Sequence, residues 1–531
     1  MARARIGVAS AVVFALGFGM VAGAAEPVLR FEDAAGRMGL AAPLRGMMAH
    51  AAACGDVDGD GDLDLYVGAF CDRPADRYTG ADGPVPNVLL VRDGERFRPA
   101  DAPALRFQAR TSGAVFVDLD NDGDLDLYVS NNSKAKGLRV ANRLFENLGG
   151  GRFRDVSDAS RACPVHGGRS IGVLDWDGDG LLDLLVTVDG WTGGGTRLFR
   201  NAGGLVFEDA TARAGLPEKL VGLGVVTPDL NGDGRPDIVV SQSNRMFLSQ
   251  ADGTYREGGS DALQYPPVNR EAVPAGIACG DVNRDGRLDL VVVDHAQPAR
   301  VHLFLNEGLD GGVPRFRDVR RAAGLAYDFP EWTPERLHLK HAHVQVADMD
   351  LDGWPDIAVA ATCDAAGAAQ PFILRNLGAG PPERGPRFHV PPLQKATAYF
   401  PCGPVADFDG DGRLDVCLTA WFPAIPSRLL LNRTPPRHWL AVRVEGRTVN
   451  RMGVGSKVRL YRAGRMGEAA ALLGYREIGL SEGFCTGGEA SAHFGLGDEE
   501  RVDVEVVLPH GKGTLRREGA AADRVLLVKE P

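Results

Sequence analysis

Seven short acidic stretches carry the densest chemistry in this chain. Each follows one nine-residue pattern, D-x-[DN]-x-D-G-x-x-D. The first holds Asp56, Asp58, Asp60 and Asp64, and the second Asp118, Asp120, Asp122 and Asp126. The third holds Asp175, Asp177, Asp179 and Asp183, the fourth Asp229, Asn231, Asp233 and Asp237. The fifth is Asp281, Asn283, Asp285 and Asp289, the sixth Asp348, Asp350, Asp352 and Asp356, and the last Asp407, Asp409, Asp411 and Asp415. Side chains at positions one, three, five and nine, with a backbone carbonyl at seven, can converge on one hard cation. Glycine at six permits the sharp turn this needs. Without a cation, four carboxylates in nine residues repel one another. The expectation is calcium, up to seven ions. Loops four and five, with Asn231 and Asn283 at position three, should bind it least tightly. An EF-hand is excluded. Position twelve, where that motif needs a bidentate Glu, is Val67, Val129, Val186, Val240, Val292, Val359 or Leu418.

The elements that must position these loops repeat with them. Start-to-start spacings are 62, 57, 54, 52, 67 and 59 residues. A small, apolar stretch precedes each loop, as in Ser112 to Val117, and a β-rich run such as Leu127-Tyr128-Val129 follows it. Another strand and turn come next, as at Asn142 to Gly149, and then a phrase such as Phe153-Arg154-Asp155-Val156. Several short strands per unit, with no helical period, make an all-β fold with the content of a propeller blade. Seven units make a seven-bladed β-propeller. The seventh unit lacks its final phrase, which stands instead near the chain start as Phe31-Glu32-Asp33-Ala34. The N-terminal strand is therefore expected to complete the last blade and leave no open sheet edge there.

Composition agrees. The 531 residues include 69 glycines and carry a formal charge of −11, which argues against a nucleic-acid partner, whose footprint should be basic. The loop ligand positions account for 26 of the 70 acidic residues, so the acidity reads as metal-binding capacity. Arg3 and Arg5, an apolar run from Ile6 to Val21 and small residues to Ala25 have the layout of a secretory signal, so residues 1–25 are expected to be removed on export. The mature protein is expected in the periplasm or outside the cell, with no stable membrane insertion. Eight cysteines permit disulfides in that compartment and do not dictate a pairing. A mixture of bridges and buried free thiols is expected.

The loop and its strands resemble the FG-GAP/VCBS repeat, over residues 26–435. The resemblance implies structural calcium in the turn between the first two strands of each blade, with binding done elsewhere on the disc, as in integrin α-subunit heads. From residue 436 the pattern changes. Asn450-Arg451-Met452-Gly453-Val454-Gly455 and His493-Phe494-Gly495-Leu496-Gly497 resemble the ASPIC/UnbV domain, implying a compact β domain over 436–531. The combination is similar to that of the cartilage acidic protein 1 family and its bacterial relatives. Leu508-Pro509 stands where that family usually has Trp-Pro, and Cys485-Thr486 replaces a Ser-Gln-like pair. His493 and Asn450 read as hydrogen-bonded turn residues.

A second site should lie at the channel mouth away from the loops. Residues five to seven positions before each first Asp approach that rim: His50, Ser112, Arg169, His341, His343 and Cys402. Such a set suits an anion, or a transition metal through neutral imidazoles. It is equally what the polar lining of a solvated channel looks like. Trp332, on an inserted segment between prolines, could stack on a sugar or contact a protein, or simply anchor its loop. Three functions follow. The first is a calcium-stabilised binding or adhesion protein for a glycan or extracellular protein, without catalysis. The others are a polysaccharide-acting enzyme using the His/Arg rim, and an accessory protein in secondary metabolism. Fold alone does not choose among them.

Overall fold

The computed structural model describes residues 29–133, 138–258, 263, 273–295, 300–326, 341–363, 369–380, 385–392 and 399–531. Trp332 lies outside them. Among the described residues, seven antiparallel sheets of the same design each contain one acidic loop. In the first, Ala49–Gly55 pairs with Asp64–Ala69 across the loop, and Val88–Asp93 and Arg96–Pro99 follow outward. The last sheet is completed by the N-terminal strand Phe31–Asp33, whose Phe31 faces Asn432 of the strand Arg428–Asn432.

Each sheet bonds to the next in chain order. Asn147 Nδ2 donates to Val57 O at 2.8 Å and Ser112 Oγ to Gly168 O at 2.6 Å. Thr227, Ser241, Asn376 and Asn432 make the corresponding bonds onward to the last sheet. The ring then returns on itself, with Ala49 N donating to Ala420 O at 3.0 Å and Phe97 packed on Phe408. This is a propeller. Innermost strands crowd its axis, which explains their small residues: a Cβ on Gly113 would lie 2.1 Å from the carbonyl oxygen of Arg169. Apolar side chains such as Leu65, Val67, Leu184 and Val186 fill the space between sheets.

The C-terminal part forms two further sheets. One joins Ala492–Gly497, His438–Glu445 and Arg524–Lys529; the other joins Leu472–Glu477, Lys457–Arg462, Arg501–Val507 and Thr514–Ala521. Between them sits a separate core including Leu440, Val458, Phe494 and Val504. Asn450 closes a turn through two bonds to Val454, and His493 Nε2 lies 2.9 Å from Gly412 O while stacking on Trp439. This domain sits on the face that carries the acidic loops. Arg451 N donates to Asn121 Oδ1 at 2.8 Å, His510 N to Gly234 O at 2.7 Å and Arg284 to Leu472 O.

From there residues 479–488 run into the central channel. Gly483 exchanges backbone bonds with Ile277, Cys485 N donates to Ser170 Oγ at 3.0 Å, and Thr486–Gly487 adds a parallel strand beside Ala52 and Ala53. The channel is plugged by the second domain. The seven cysteines whose side chains are described are all free, so no bridge forms among them. No helix among the described residues is long and apolar enough to cross a membrane.

Candidate functional site

The acidic loops share one local architecture, dictated by their spacing. In all seven, the glycine at position six has φ between 82° and 102°. Its N–H donates to the first Asp at 2.6–3.1 Å. The ninth residue plays a part that its spacing in the loop does not reveal. One oxygen of each ninth Asp accepts the N–H of position two at 2.8–3.3 Å. Its other oxygen accepts an N–H from the third strand at 2.7–2.9 Å. The ninth Asp therefore ties loop to blade, with only its remaining lone pairs open to a cation.

Five loops bring three carboxylates together with ligand atoms within 4.8 Å of one another. The sets are Asp56/Asp58/Asp64, Asp118/Asp120/Asp122, Asp175/Asp177/Asp183, Asp348/Asp350/Asp356 and Asp407/Asp409/Asp415. In the fourth and fifth loops the amides of Asn231 and Asn283 donate to Asp233 and Asp285 at 3.1 and 2.9 Å. One oxygen each of Asp118, Asp350 and Asp409 is buried with no hydrogen-bond partner, although an arginine lies within 4.0 Å of the other oxygen of each. Burial pushes Asp64 up to about 7 and Asp126 up to about 8. Asp183, Asp289, Asp356 and Asp415 are driven well above the carboxylate range, again chiefly by burial. Oxygen donors whose charged form is this disfavoured suit a small hard cation.

The opposite mouth is chemically different. A cavity of about 390 Å³ opens there. His50, Arg110, Arg169, Trp191, Trp421 and Phe484 are among its lining residues. His50 is buried and stacks on Phe70 with 4.5 Å between ring centroids, with Trp421 and Phe484 edge-on at 5.3 and 5.5 Å. Burial, then Arg169 and Arg110, lower its pKa well below the usual range, so it is neutral. Arg110 lies 4.0 Å over the Phe70 ring and pairs with both oxygens of Asp72 at 2.8 and 3.1 Å. Arg169 pairs with Asp189 through Nε at 2.7 Å and Nη2 at 2.6 Å. His295 Nε2 is 2.7 Å from the Tyr399 hydroxyl. Trp191 is 56% exposed at the rim, and Phe484, from the plugging segment, joins the cavity wall from the channel side.

Of the rim residues expected from sequence, His50 and Arg169 line this cavity. Ser112 is buried on a backbone carbonyl of the next sheet, and Cys402 bonds to Thr419 Oγ1 at 3.0 Å. His341 stacks on Phe372, and His343 lies between Gln345 at 3.2 Å and the Phe484 N–H at 3.3 Å. Burial lowers these two histidines to about 3 and about 4. Among the described residues no histidine joins a three-residue metal-ligating group.

Strand alternation explains which of the histidines reach the cavity. His50, Arg169 and Leu223 all stand six residues before a first Asp and line the cavity, whereas His341 and His343 stand seven and five before theirs. Three further lining residues share a register of their own. Phe70, His295 and Trp421 each stand fourteen after the first Asp, the position Asp189 and Asn132 hold in their own blades. Aligning the seven units on their loops would have exposed that position.

The profile of the FG-GAP-like repeat matches residues 56–129, 118–186, 175–240, 229–292, 281–359 and 348–418. The profile described as ASPIC and UnbV matches residues 446–531. Cartilage acidic protein 1 of Mus musculus is 28% identical over 488 residues, covering 86% of this chain and 70% of that protein. The Homo sapiens protein of the same name is 28% identical over 486 residues, covering 86% and 68%. Among solved structures, the BP39L lectin from Burkholderia pseudomallei aligns with a TM-score of 0.40 at 14% identity, over 70% of this chain and 93% of that one.

Proposed function

Because this chain belongs to the family of FG-GAP-like repeat proteins that end in an ASPIC and UnbV domain, we propose that it is an exported, calcium-stabilised binding protein. Its ligand is a glycan, and its site is the cavity at the mouth away from the loops. The observation that carries this reading is the cavity's make-up: aromatic faces beside guanidinium groups held by the carboxylates of Asp72 and Asp189. Sugars bind by stacking apolar ring faces on aromatics while their polar edges take hydrogen bonds. Arg110 is committed through Nε and Nη1, and Arg169 through Nε and Nη2. One amino group on each is left for a ligand, which favours a sugar bearing a carboxylate or sulfate. No carboxylate lines the cavity among the described residues, so the acid pair a glycoside hydrolase needs has no counterpart there. Export rests on Arg3, Arg5 and the apolar run that follows them.

Calcium in the loops would serve rigidity. The orphaned oxygens of Asp118, Asp350 and Asp409 support that reading. The test is a glycan array in calcium, repeated with chelator and with Arg169→Gln. Selective retention of acidic over neutral glycans, lost in the variant, is expected. Failure to retain any glycan, or retention indifferent to Arg169, would sink the assignment.

A further inference from the structure

Loop four differs from its six counterparts in what reaches it. Lys457 opens the strand Lys457–Arg462 of the C-terminal domain, and its side chain is only 9% exposed. Its ammonium donates to Oδ2 of Asp229, the first ligand position of the loop, whose side chain is 3% exposed. Across the strand pair, Glu477 faces Lys457 and accepts the backbone N–H of Asp229 at 3.1 and 3.2 Å through its two oxygens. Two neighbouring side chains of one domain thus grip one aspartate of the other.

No other loop is entered this way among the described residues. Arg451 stops 4.0 Å from Asp118 and its side chain is 45% exposed, and His510 Nε2 lies 2.9 Å from the backbone carbonyl oxygen of Asp175 and no nearer than 3.9 Å to its carboxylate. Arg200, Arg375 and Arg433 reach loops three, six and seven only at positions three and five, not at the first Asp, and all three come from the propeller itself. Loop four also holds one carboxylate fewer, through Asn231. Loops two, six and seven each leave a buried carboxylate oxygen without a partner; loop four, like loops one, three and five, leaves none.

We propose that the Lys457 ammonium is the resident cation of loop four, so that this loop takes no calcium and instead fastens the C-terminal domain to the propeller. A divalent ion and an ammonium on one buried carboxylate repel each other within a few ångströms, where screening by water is weak. The ammonium is tethered to the neighbouring domain, so it competes at a high effective concentration that dilution does not reduce. Loop four is then a metal-independent latch in an otherwise metal-dependent face. This rests on the reading of the remaining loops as calcium sites.

The experiment counts calcium. Full-length protein, its Lys457→Met variant and its Asp229→Asn variant are equilibrated at micromolar free calcium, and bound metal per chain is measured by atomic emission. Lys457→Met should hold one ion more than the wild type. Asp229→Asn should hold the same number as the wild type, whereas Asp118→Asn should hold one fewer. A Lys457→Met count equal to the wild type, or loss of one ion in Asp229→Asn, would overturn the proposal. Because Asp229→Asn preserves shape and leaves Lys457 in place, its count decides the matter even if Lys457→Met does not fold. A wild type holding no calcium with an unchanged Asp118→Asn count would instead fail the calcium reading itself, and an ion-free Lys457→Met would overturn the latch with it.

Discussion

The two faces of the propeller use the same backbone for opposite purposes. On one, the same four ligand positions recur in every blade, and their partners lie within nine residues of one another or on the adjoining strand. On the other, equivalent positions vary between blades: His50, Ser112, Arg169 and Leu223 stand six residues before the first Asp, with Ala275 and Ala342 in the fifth and sixth units, and Phe70, Asn132, Asp189 and His295 stand fourteen after it. Repetition marks what each blade needs in order to fold. Variation at a fixed register gives the assembled ring a single asymmetric cavity, with a different contribution from each wall, which is what the proposed ligand would require.

That contrast can be broken most severely by removing metal. If the folded loops hold calcium as proposed and the unfolded chain does not, chelation should lower the melting temperature by about 10 °C or more (on the order of several kcal/mol summed over the sites). Calorimetry with and without chelator checks it. A melting temperature unmoved at submicromolar calcium would remove the distinction between the faces. Next in size is Asp126→Ala. It leaves the N–H groups of Leu119 and Asn147 without their acceptor and should cost about 2–4 kcal/mol in a denaturant titration. Ser112→Ala at the other face loses one bond and should cost about 1 kcal/mol.

The pH response should sharpen the contrast further. Asp64 and Asp237, raised to about 7, and Asp126, raised to about 8, sit above their unfolded value near 3.8. In chelated protein the folded state therefore binds more protons than the unfolded chain between about pH 4 and 8, so stability should rise as pH falls through that window. Calcium-loaded protein should not show this gain, because the ion holds the carboxylates ionised. Thermal melts at pH 5 and 8 in both states test the sign, and chelated protein that is less stable at pH 5 would contradict it. The smallest effect belongs to the rim. Trp191→Ala should weaken acidic-glycan binding several-fold, about 0.5–1.5 kcal/mol, while leaving the melting temperature unchanged, as read by titration calorimetry.

Much of the loop face was legible because its chemistry is local. Carboxylates two residues apart around an obligatory glycine form one turn whatever surrounds them, and the spacing of the seven turns counts the blades. The closing strand at Phe31–Asp33 was legible for a related reason: a phrase missing from one end of a repeat reappears at the other. The role of the ninth Asp was not, since its third-strand partner lies 12 to 28 residues downstream. At the channel mouth a window three residues wide mixed cavity-facing His50 and Arg169 with His341 and His343, which alternation turns away. Phe484 and Lys457 carried no usable signal. Each acts on a partner in the propeller more than a hundred residues distant, and nothing in the local pattern says which side chain of the second domain will enter the channel or a loop.

By itself, then, the amino-acid sequence determined the repeat, its number, the strand content of each unit and the acidic turn, because each follows from interactions between residues close in the chain. Only the tertiary structure decided how the second domain seats on the loop face, plugs the channel, supplies an ammonium to one loop and an aromatic wall to the cavity opposite. Those contacts depend on where a closed ring places groups hundreds of residues apart, and on which of them burial forces to find a partner.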